Sequence, residues 1–281
     1  MAVIGFIPVV LGLASAVAWG VADFTGGLAA KRTNVFGVVI MGEAVGMVLI
    51  TILAVIQGEP IPHLRSWVLG GVAGISGGVG ILILYRALAG GQMCVAAPIS
   101  GVVAAIIPVI FNAGVEGLPG SLTFTGFVLA LAAVWLISRN ADGTPIHLKI
   151  LALPAAAGVT FGLFFICMHQ ASQFSTFWPI VASRSSSMIS LLVFIVITRQ
   201  PWQPQRPHWP LIALNGLMDV AGNVFFVQSG QIGRLDVAAV LGSLYPGSTV
   251  LLASMLLKER ITRLQTIGIL LALIAIGLIA L

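Results

Sequence analysis

Ten apolar runs occupy almost the whole of this chain and decide what it can fold into. A helix needs about 20 mostly apolar residues to cross the hydrocarbon core of a membrane. The chain is 59% hydrophobic and 7% charged, whereas soluble proteins carry about 25% charged residues. We therefore predict an all-α integral membrane protein with ten transmembrane helices. The runs cover residues 6–29, 34–56, 66–89, 93–114, 121–138, 148–170, 176–197, 209–231, 236–256 and 262–280.

The connectors between these runs differ in their content of Lys and Arg. Those after runs 2, 4, 6 and 8 contain Arg65 and Arg234, whereas those after runs 1, 5, 7 and 9 are strongly basic. Because cytoplasmic loops carry an excess of Lys and Arg, the basic set is predicted to face the cytoplasm. Both termini then lie outside, and the first run is a retained anchor. The net charge of +5 is spread over these loops and indicates no nucleic-acid partner. The basic set is Lys31, Arg32, Arg139, Lys149, Arg199, Arg206, Lys258, Arg260 and Arg263.

The sequence also matches itself at a constant offset of 142 positions. The offset equals five runs, an odd number, so the two halves must cross the membrane in opposite senses. We predict a first five-helix repeat over 1–138, a cytoplasmic linker over 139–147 and a second, inverted repeat over 148–281. Inverted repeats are typical of secondary transporters. Matched pairs include Gly20 with Gly162, Trp67 with Trp209, Gly74 with Gly216, and Gly91 with Gly233.

Two stretches carry a recognisable family pattern. They are Tyr85-Arg86-Ala87-Leu88 followed by Val95-Ala96-Ala97-Pro98, and Tyr245-Pro246 followed by Leu257-Lys258-Glu259-Arg260, Gln265, Gly268 and Gly277. This pattern resembles the EamA-type repeat of the drug/metabolite transporter superfamily, and the chain is most similar to bacterial exporters of aromatic amino acids and related metabolites. The resemblance implies ten helices around a central cavity, lined mainly by helices 1, 3, 4, 6, 8 and 9. It also implies a bacterial inner membrane, in which the loop charges predict both termini on the periplasmic side.

Seven residues are candidates for substrate binding. Trp19 and Phe161 are repeat mates that would face each other across the central axis, where aromatic rings can stack on an apolar solute. Lipid contact or packing is the alternative for each ring. Asp219 and Asn223 are four residues apart and so share one helical face; Asp219 has no obvious partner in the sequence. The full set is Trp19, Tyr85, Phe161, Phe165, Asp219, Asn223 and Tyr245.

Four ionisable residues within the runs are candidates for coupling or gating, because charge at membrane depth is costly. Asp23 either takes protons or holds an amino group, or else is an interfacial residue paired with a neighbouring base. Glu43 and Arg184 occupy nearly equivalent repeat positions and favour a structural or gating role, a direct pair included. His169 is either an interfacial histidine or part of a proton relay.

Prolines and glycines mark special backbone positions. Pro98 and Pro246 lie in repeat-related runs, and we predict helix breaks there that expose backbone groups to a cavity. Gly70, Gly74 and Gly78 form a ridge of small residues that indicates close helix packing.

We therefore predict a secondary transporter that exports small organic metabolites, with amino acids, including aromatic ones, as the cargo. Proton-coupled multidrug efflux and the flipping of lipid-linked intermediates are the alternatives on the same fold. The sequence contains no HExxH or GxSxG motif and no paired catalytic Asp, which argues against an enzyme. We expect no metal and no cofactor, and a protein that functions as a monomer in the bilayer.

Overall fold

The computed structural model describes residues 6–89, 93–116, 121–137, 148–203, 206–233, 235–258 and 261–280. These residues form α-helices, with a single 3-10 turn at Arg206–His208 and no strand. The all-α prediction is confirmed for this part of the chain. The helices are α1 (Phe6–Arg32), α2 (Val35–Ile56), α3 (Leu64–Ala89), α4 (Met93–Glu116), α5 (Ser121–Ile137), α6 (Leu148–Ala171), α7 (Phe177–Thr198), α8 (Trp209–Ile232), α9 (Leu235–Gly242), α10 (Tyr245–Leu256) and α11 (Arg263–Ala280).

Seven segments of the described chain are long and apolar enough to cross a membrane. They lie in α1, α2, α3, α6, α7 and α8, and in α9 and α10 taken together. Shorter apolar helices occupy Ala96–Phe111 and Arg263–Ala275. The ten-span count stays a prediction, and the predicted linker over 139–147 lies outside the described residues.

The ninth apolar run forms two helices rather than one. α9 ends at Gly242, and α10 begins at Tyr245 with Pro246 in its first turn. Proline has no N–H with which to bond the carbonyl one turn earlier, and its ring clashes with that carbonyl. By contrast, α4 continues through Pro98, so the break predicted there is not found. Loss of a single backbone hydrogen bond is tolerated where neighbouring helices pack around the proline, and α6 and α10 lie against α4.

The helices of the two halves pack in exchanged pairs. α1 lies against α8 and α6 lies against α3; α3 lies against α7 and α8 lies against α2. In the predicted repeat, α1 corresponds to α6, α2 to α7 and α3 to α8. Each contact therefore has a counterpart in which the halves trade places, as a two-fold relation between them would require. The inverted repeat itself stays a prediction.

The start of α7 is held by a side chain from the connector between α2 and α3. The Glu59 carboxylate accepts hydrogen bonds from Ser175 Oγ at 2.6 Å, from Thr176 N at 2.9 Å and from Phe177 N at 2.9 Å. Trp178 Nε1 donates to the Glu59 carbonyl at 2.9 Å. The carboxylate satisfies N–H groups that have no partner inside the helix, and its charge complements the helix dipole. This contact joins the two predicted halves at one end of the bundle.

Candidate functional site

A cavity lies between α1, α2, α3, α6, α7, α8 and α10. It contains about 550 Å³ of empty space, part of it open to solvent. α3 borders it with Gly74, Gly77 and Gly78, which carry no side chains to fill the space. The other lining residues are Trp19, Asp23, Glu43, Ile81, Phe161, Phe164, Phe165, Ser183, Arg184, Ser187, Asp219, Asn223 and Tyr245.

Most of the residues singled out in the sequence meet at this cavity. Of the candidate substrate residues, Tyr85 is the exception, and of the coupling candidates, His169 is the exception. The set of helices differs from the one that the family resemblance implied. α2 and α7 border the cavity through Glu43 and Arg184, whereas no lining residue comes from the described part of α4.

Stacked aromatic rings form one wall of the cavity. Trp19 stacks on Phe165 with ring centroids 5.5 Å apart, and Phe165 stacks on Phe226 at 4.9 Å. Trp19 also lies 5.6 Å from Phe226. Phe161 meets the edge of Tyr245 at 6.4 Å. The sequence predicts that Trp19 and Phe161 face each other. In the structure the rings next to Trp19 are Phe165 and Phe226, and the ring next to Phe161 is Tyr245.

An ion pair crosses from α7 to α8 beside this wall. Arg184 Nη2 donates to Asp219 Oδ2, and Asn223 Nδ2 donates to the Asp219 carbonyl at 2.9 Å and to Oδ2 at 3.3 Å. Asp219 therefore has a charged partner, which corrects its reading as an unpaired acid. Arg184 bonds to Asp219 and not to Glu43, which was the pair considered in the sequence. The partner follows from how α7 and α8 are rotated about their axes.

Two further carboxylates face the cavity and form no ion pair with a residue that the structure describes. Glu43 is 4% exposed, and its Oε1 accepts a hydrogen bond from Ser187 Oγ at 2.6 Å. Its Oε2 is buried and has no hydrogen-bond partner among the described residues. Asp23 is 8% exposed and lines the same space. Within the described part of the chain, the Asp23 side chain makes no hydrogen bond or ion pair, so it is not the interfacial, base-paired residue considered as an alternative.

Tyr85 lies next to the cavity rather than in it. Its hydroxyl accepts a hydrogen bond from Asn215 Nδ2 at 2.5 Å, and the same amide group donates to the Ala22 carbonyl at 2.8 Å. Gly26 packs directly against the Tyr85 ring. Tyr85 borders a smaller neighbouring pocket that it shares with Glu43 and other residues. The tyrosine thus joins α1, α3 and α8 in a packed contact.

His169 and the two prolines lie elsewhere in the fold. The His169 ring is 3.3 Å from Gln173 Nε2 and packs against Gly230, near the C-terminal end of α6 and outside the set of residues that line the main cavity. Pro98 and Pro246 border a small apolar pocket together with residues of α11. The adjacent Tyr245 does reach the main cavity, where its hydroxyl lies 2.6 Å from Ser100 Oγ.

Sequence reasoning missed several residues that shape the site. Ser183 and Ser187 line the cavity from α7, and Phe164 lines it from α6. Phe226 completes the ring stack from α8. The serines carried a usable signal, since a run of four serines around one arginine at 183–187 is unusual in an apolar segment. The phenylalanines carried none, because lipid-facing and cavity-facing phenylalanines are alike in sequence.

Comparisons with known proteins agree with this architecture. The sequence model of the EamA-like transporter family matches residues 148–281, so the chain carries an EamA-like transporter domain over its second half. No curated protein matches the chain. Of the solved structures, 28 chains match. One, titled only "Crystal structure of protein", is 17% identical, with a TM-score of 0.69 over 96% of this chain and 95% of its own; it shares the fold.

The fold and the domain together define a multi-pass membrane protein of the transporter type. The EamA family implies a membrane transporter of small molecules.

Proposed function

We propose that this protein is a secondary transporter that exports small organic metabolites by alternating access through the cavity between α1, α3, α7 and α8. The observation that carries the proposal is the combination of buried charged side chains and stacked rings around an open space inside apolar helices. Ionisable residues at membrane depth are costly and usually serve a pathway.

The lining supports an amphipathic cargo that carries an amino group, the class to which amino acids belong. The carboxylates of Asp23 and Glu43 are suited to a nitrogen that bears N–H donors. The rings of Trp19 and Phe165 are suited to an aromatic or aliphatic body. Arg184 is the cationic residue among those described at the cavity, and a carrier of phosphorylated compounds would need several.

Two contacts between the predicted halves are suited to act as gates. The Tyr85–Asn215 hydrogen bond lies toward the Arg32 end of α1, where the Tyr85 ring also packs on Gly26 of its own half. Glu59 binds the start of α7 at the opposite end of the bundle. It follows α2, which begins beside the Arg32 end of α1 and runs away from it. Alternating access requires that one such closure opens while the other holds. The exchanged packing of the helix pairs supports two halves that can trade conformations.

We further propose that the protein lies in a bacterial inner membrane with both termini in the periplasm, as the loop charges predict. A reporter protein that is active only in the cytoplasm, fused after Leu281, tests this orientation. An inactive reporter is expected, and a strong cytoplasmic signal would reverse the assignment.

The function is tested by reconstituting the purified full-length chain into liposomes and measuring the counterflow of labelled amino acids and related metabolites. Protein-free liposomes measure passive leak. Flux of at least one compound above the leak is expected. If no compound in the screen shows flux above the leak, the proposal is wrong. Repeating the assay with an imposed pH gradient tests coupling.

Asp23 favours proton-coupled efflux as a second candidate. Its buried carboxylate borders the cavity from α1, where a proton and a cargo could both reach it. If this reading is correct, Asp23→Asn loses gradient-driven flux but keeps counterflow at equal pH. Gradient-driven flux that survives the change would exclude Asp23 as the proton carrier.

A further inference from the structure

We propose that the cavity selects a cargo with net positive charge, an organic amine with an aromatic or apolar body, over the zwitterion with the same body. This inference rests on the proposed function and narrows its substrate class. The balance of charge around the cavity and the buried Glu43 Oε2, which accepts no hydrogen bond from a described residue, favour such a cargo.

The charges at the cavity do not cancel. Its described lining contains three carboxylates and one guanidinium. Arg184 is bonded to Asp219, and Asn223 supports the same carboxylate, so this pair is internally satisfied. Asp23 and Glu43 form no ion pair of their own with a described residue, and the single Arg184 charge acts on both Asp219 and Glu43. A ligand that supplies one positive charge lowers the electrostatic cost of the cavity, whereas a neutral zwitterion leaves the net charge unchanged.

Glu43 marks where the positive group binds. Ser187 satisfies Oε1, while Oε2 is buried and accepts no hydrogen bond from the part of the chain that the structure describes. A buried polar atom that has lost its water and found no partner is costly. An ammonium group carries three N–H donors and no acceptor, so it satisfies Oε2 and supplies the missing charge in one contact.

The aromatic wall is placed to hold the rest of such a molecule. Trp19 and Asp23 are four residues apart on α1 and therefore share one face of the helix. A cargo whose nitrogen lies between Asp23 and Glu43 can rest its body on Trp19, which stacks on Phe165. Aromatic faces also attract cations directly, which adds to the preference for an amine.

The carboxylate of a zwitterion finds no equivalent site. The cationic partner it would need is Arg184, which is already bonded to Asp219. To bind there, the incoming carboxylate must share the Arg184 guanidinium with Asp219, which places two negative groups on one positive charge. Otherwise it faces Asp23 and Asp219 and is repelled by both. The cavity therefore penalises the group that distinguishes an amino acid from the corresponding amine.

The test compares three compounds that share a phenylalkyl body: 2-phenylethylamine, phenylalanine and 3-phenylpropionate. Each is titrated calorimetrically into the purified full-length chain, and its counterflow is measured in liposomes at pH 7 after subtraction of leak into protein-free liposomes. The amine is expected to bind about tenfold more tightly than phenylalanine, the size expected for one hydrogen bond to a charged group. The propionate is expected to bind most weakly.

The variant Glu43→Gln locates the effect. It should lower the amine-to-phenylalanine affinity ratio by about tenfold, while Asp236→Asn, which removes a carboxylate that does not line the cavity, should leave that ratio unchanged. The ratio does not depend on the amount of folded protein. If Glu43→Gln does not fold, the ranking of the three compounds by the wild-type protein still tests the cationic preference.

The outcomes separate the two proposals. Tighter binding of phenylalanine than of the amine, or equal binding, overturns the cationic preference, and flux of either compound then leaves the transporter proposal intact. Preferential binding of the amine without flux of any compound supports the charge preference and counts against transport. A wild-type preference that Glu43→Gln does not change overturns the role given to Glu43.

Discussion

Gly74 of α3 lies directly against the backbone carbonyl of Ser183 on α7. A Cβ atom built on Gly74 would collide with that carbonyl oxygen and with Ser186 Oγ. Gly78, one turn further along, lies directly against the side-chain hydroxyl of Ser187. Small residues allow helix backbones to approach closely within a membrane. The approach places Arg184 and Ser187 of α7 at the cavity that α3 borders.

Gly74→Ala is expected to destabilise the protein by about 1–3 kcal/mol, the usual cost of overpacking, because a backbone carbonyl cannot rotate away as a flexible side chain could. The apparent Tm of the purified chain in detergent measures this loss. Gly71→Ala is the matched control, since its nearest neighbour would be Ser186 Cβ at 3.9 Å, an ordinary contact. Equal effects of the two substitutions would show that close packing at Gly74 is unimportant.

Breaking the Arg184–Asp219 ion pair from either side should strongly destabilise the fold. Arg184→Gln or Asp219→Asn alone leaves a buried charge without its partner, which costs about 3–5 kcal/mol. The double variant removes both charges and should recover most of that loss in apparent Tm. Additive losses in the double variant would contradict a direct pair between the two side chains.

Trp19→Ala and Phe161→Ala should each impair export without lowering the amount of protein in the membrane. The loss expected for one aromatic contact to the cargo is about fivefold in rate or more. Trp209→Ala is the control, because Trp209 is 49% exposed at the start of α8 and remote from the cavity. If either variant exports at the wild-type rate, the ring it lacks is not part of the binding site.

Glu59→Gln should weaken the attachment between the connector after α2 and the start of α7. The amide keeps one acceptor oxygen, loses the charge that complements the helix dipole, and turns an NH₂ group toward N–H donors. A loss of about 1–3 kcal/mol is expected, seen as a lower Tm. The exposed Gln57, on the same connector, provides the control substitution Gln57→Ala, which should leave the Tm unchanged. A Tm equal to that of wild type in Glu59→Gln would show that the cap is dispensable.

The positions of the helices could be predicted from the sequence because they depend on local properties. An apolar run in lipid must form a helix to satisfy its own backbone, so α1, α2 and α3 follow closely from runs 6–29, 34–56 and 66–89. Rare polar residues inside such runs also stand out individually. That is why Asp23, Asp219 and Asn223 could be proposed as site residues before any contact was known.

The partners of those residues were decided by the tertiary structure. In a soluble helix the polar face reveals how the helix is oriented, but in a membrane both the lipid-facing and the buried sides are apolar. The rotation of α7, which pairs Arg184 with Asp219 rather than with Glu43, therefore left no trace in the sequence pattern. The same holds for Tyr85, which packs beside the cavity with Asn215, and for His169, which lies away from it. Composition and spacing set which residues are costly to bury; helix packing alone set which of them meet.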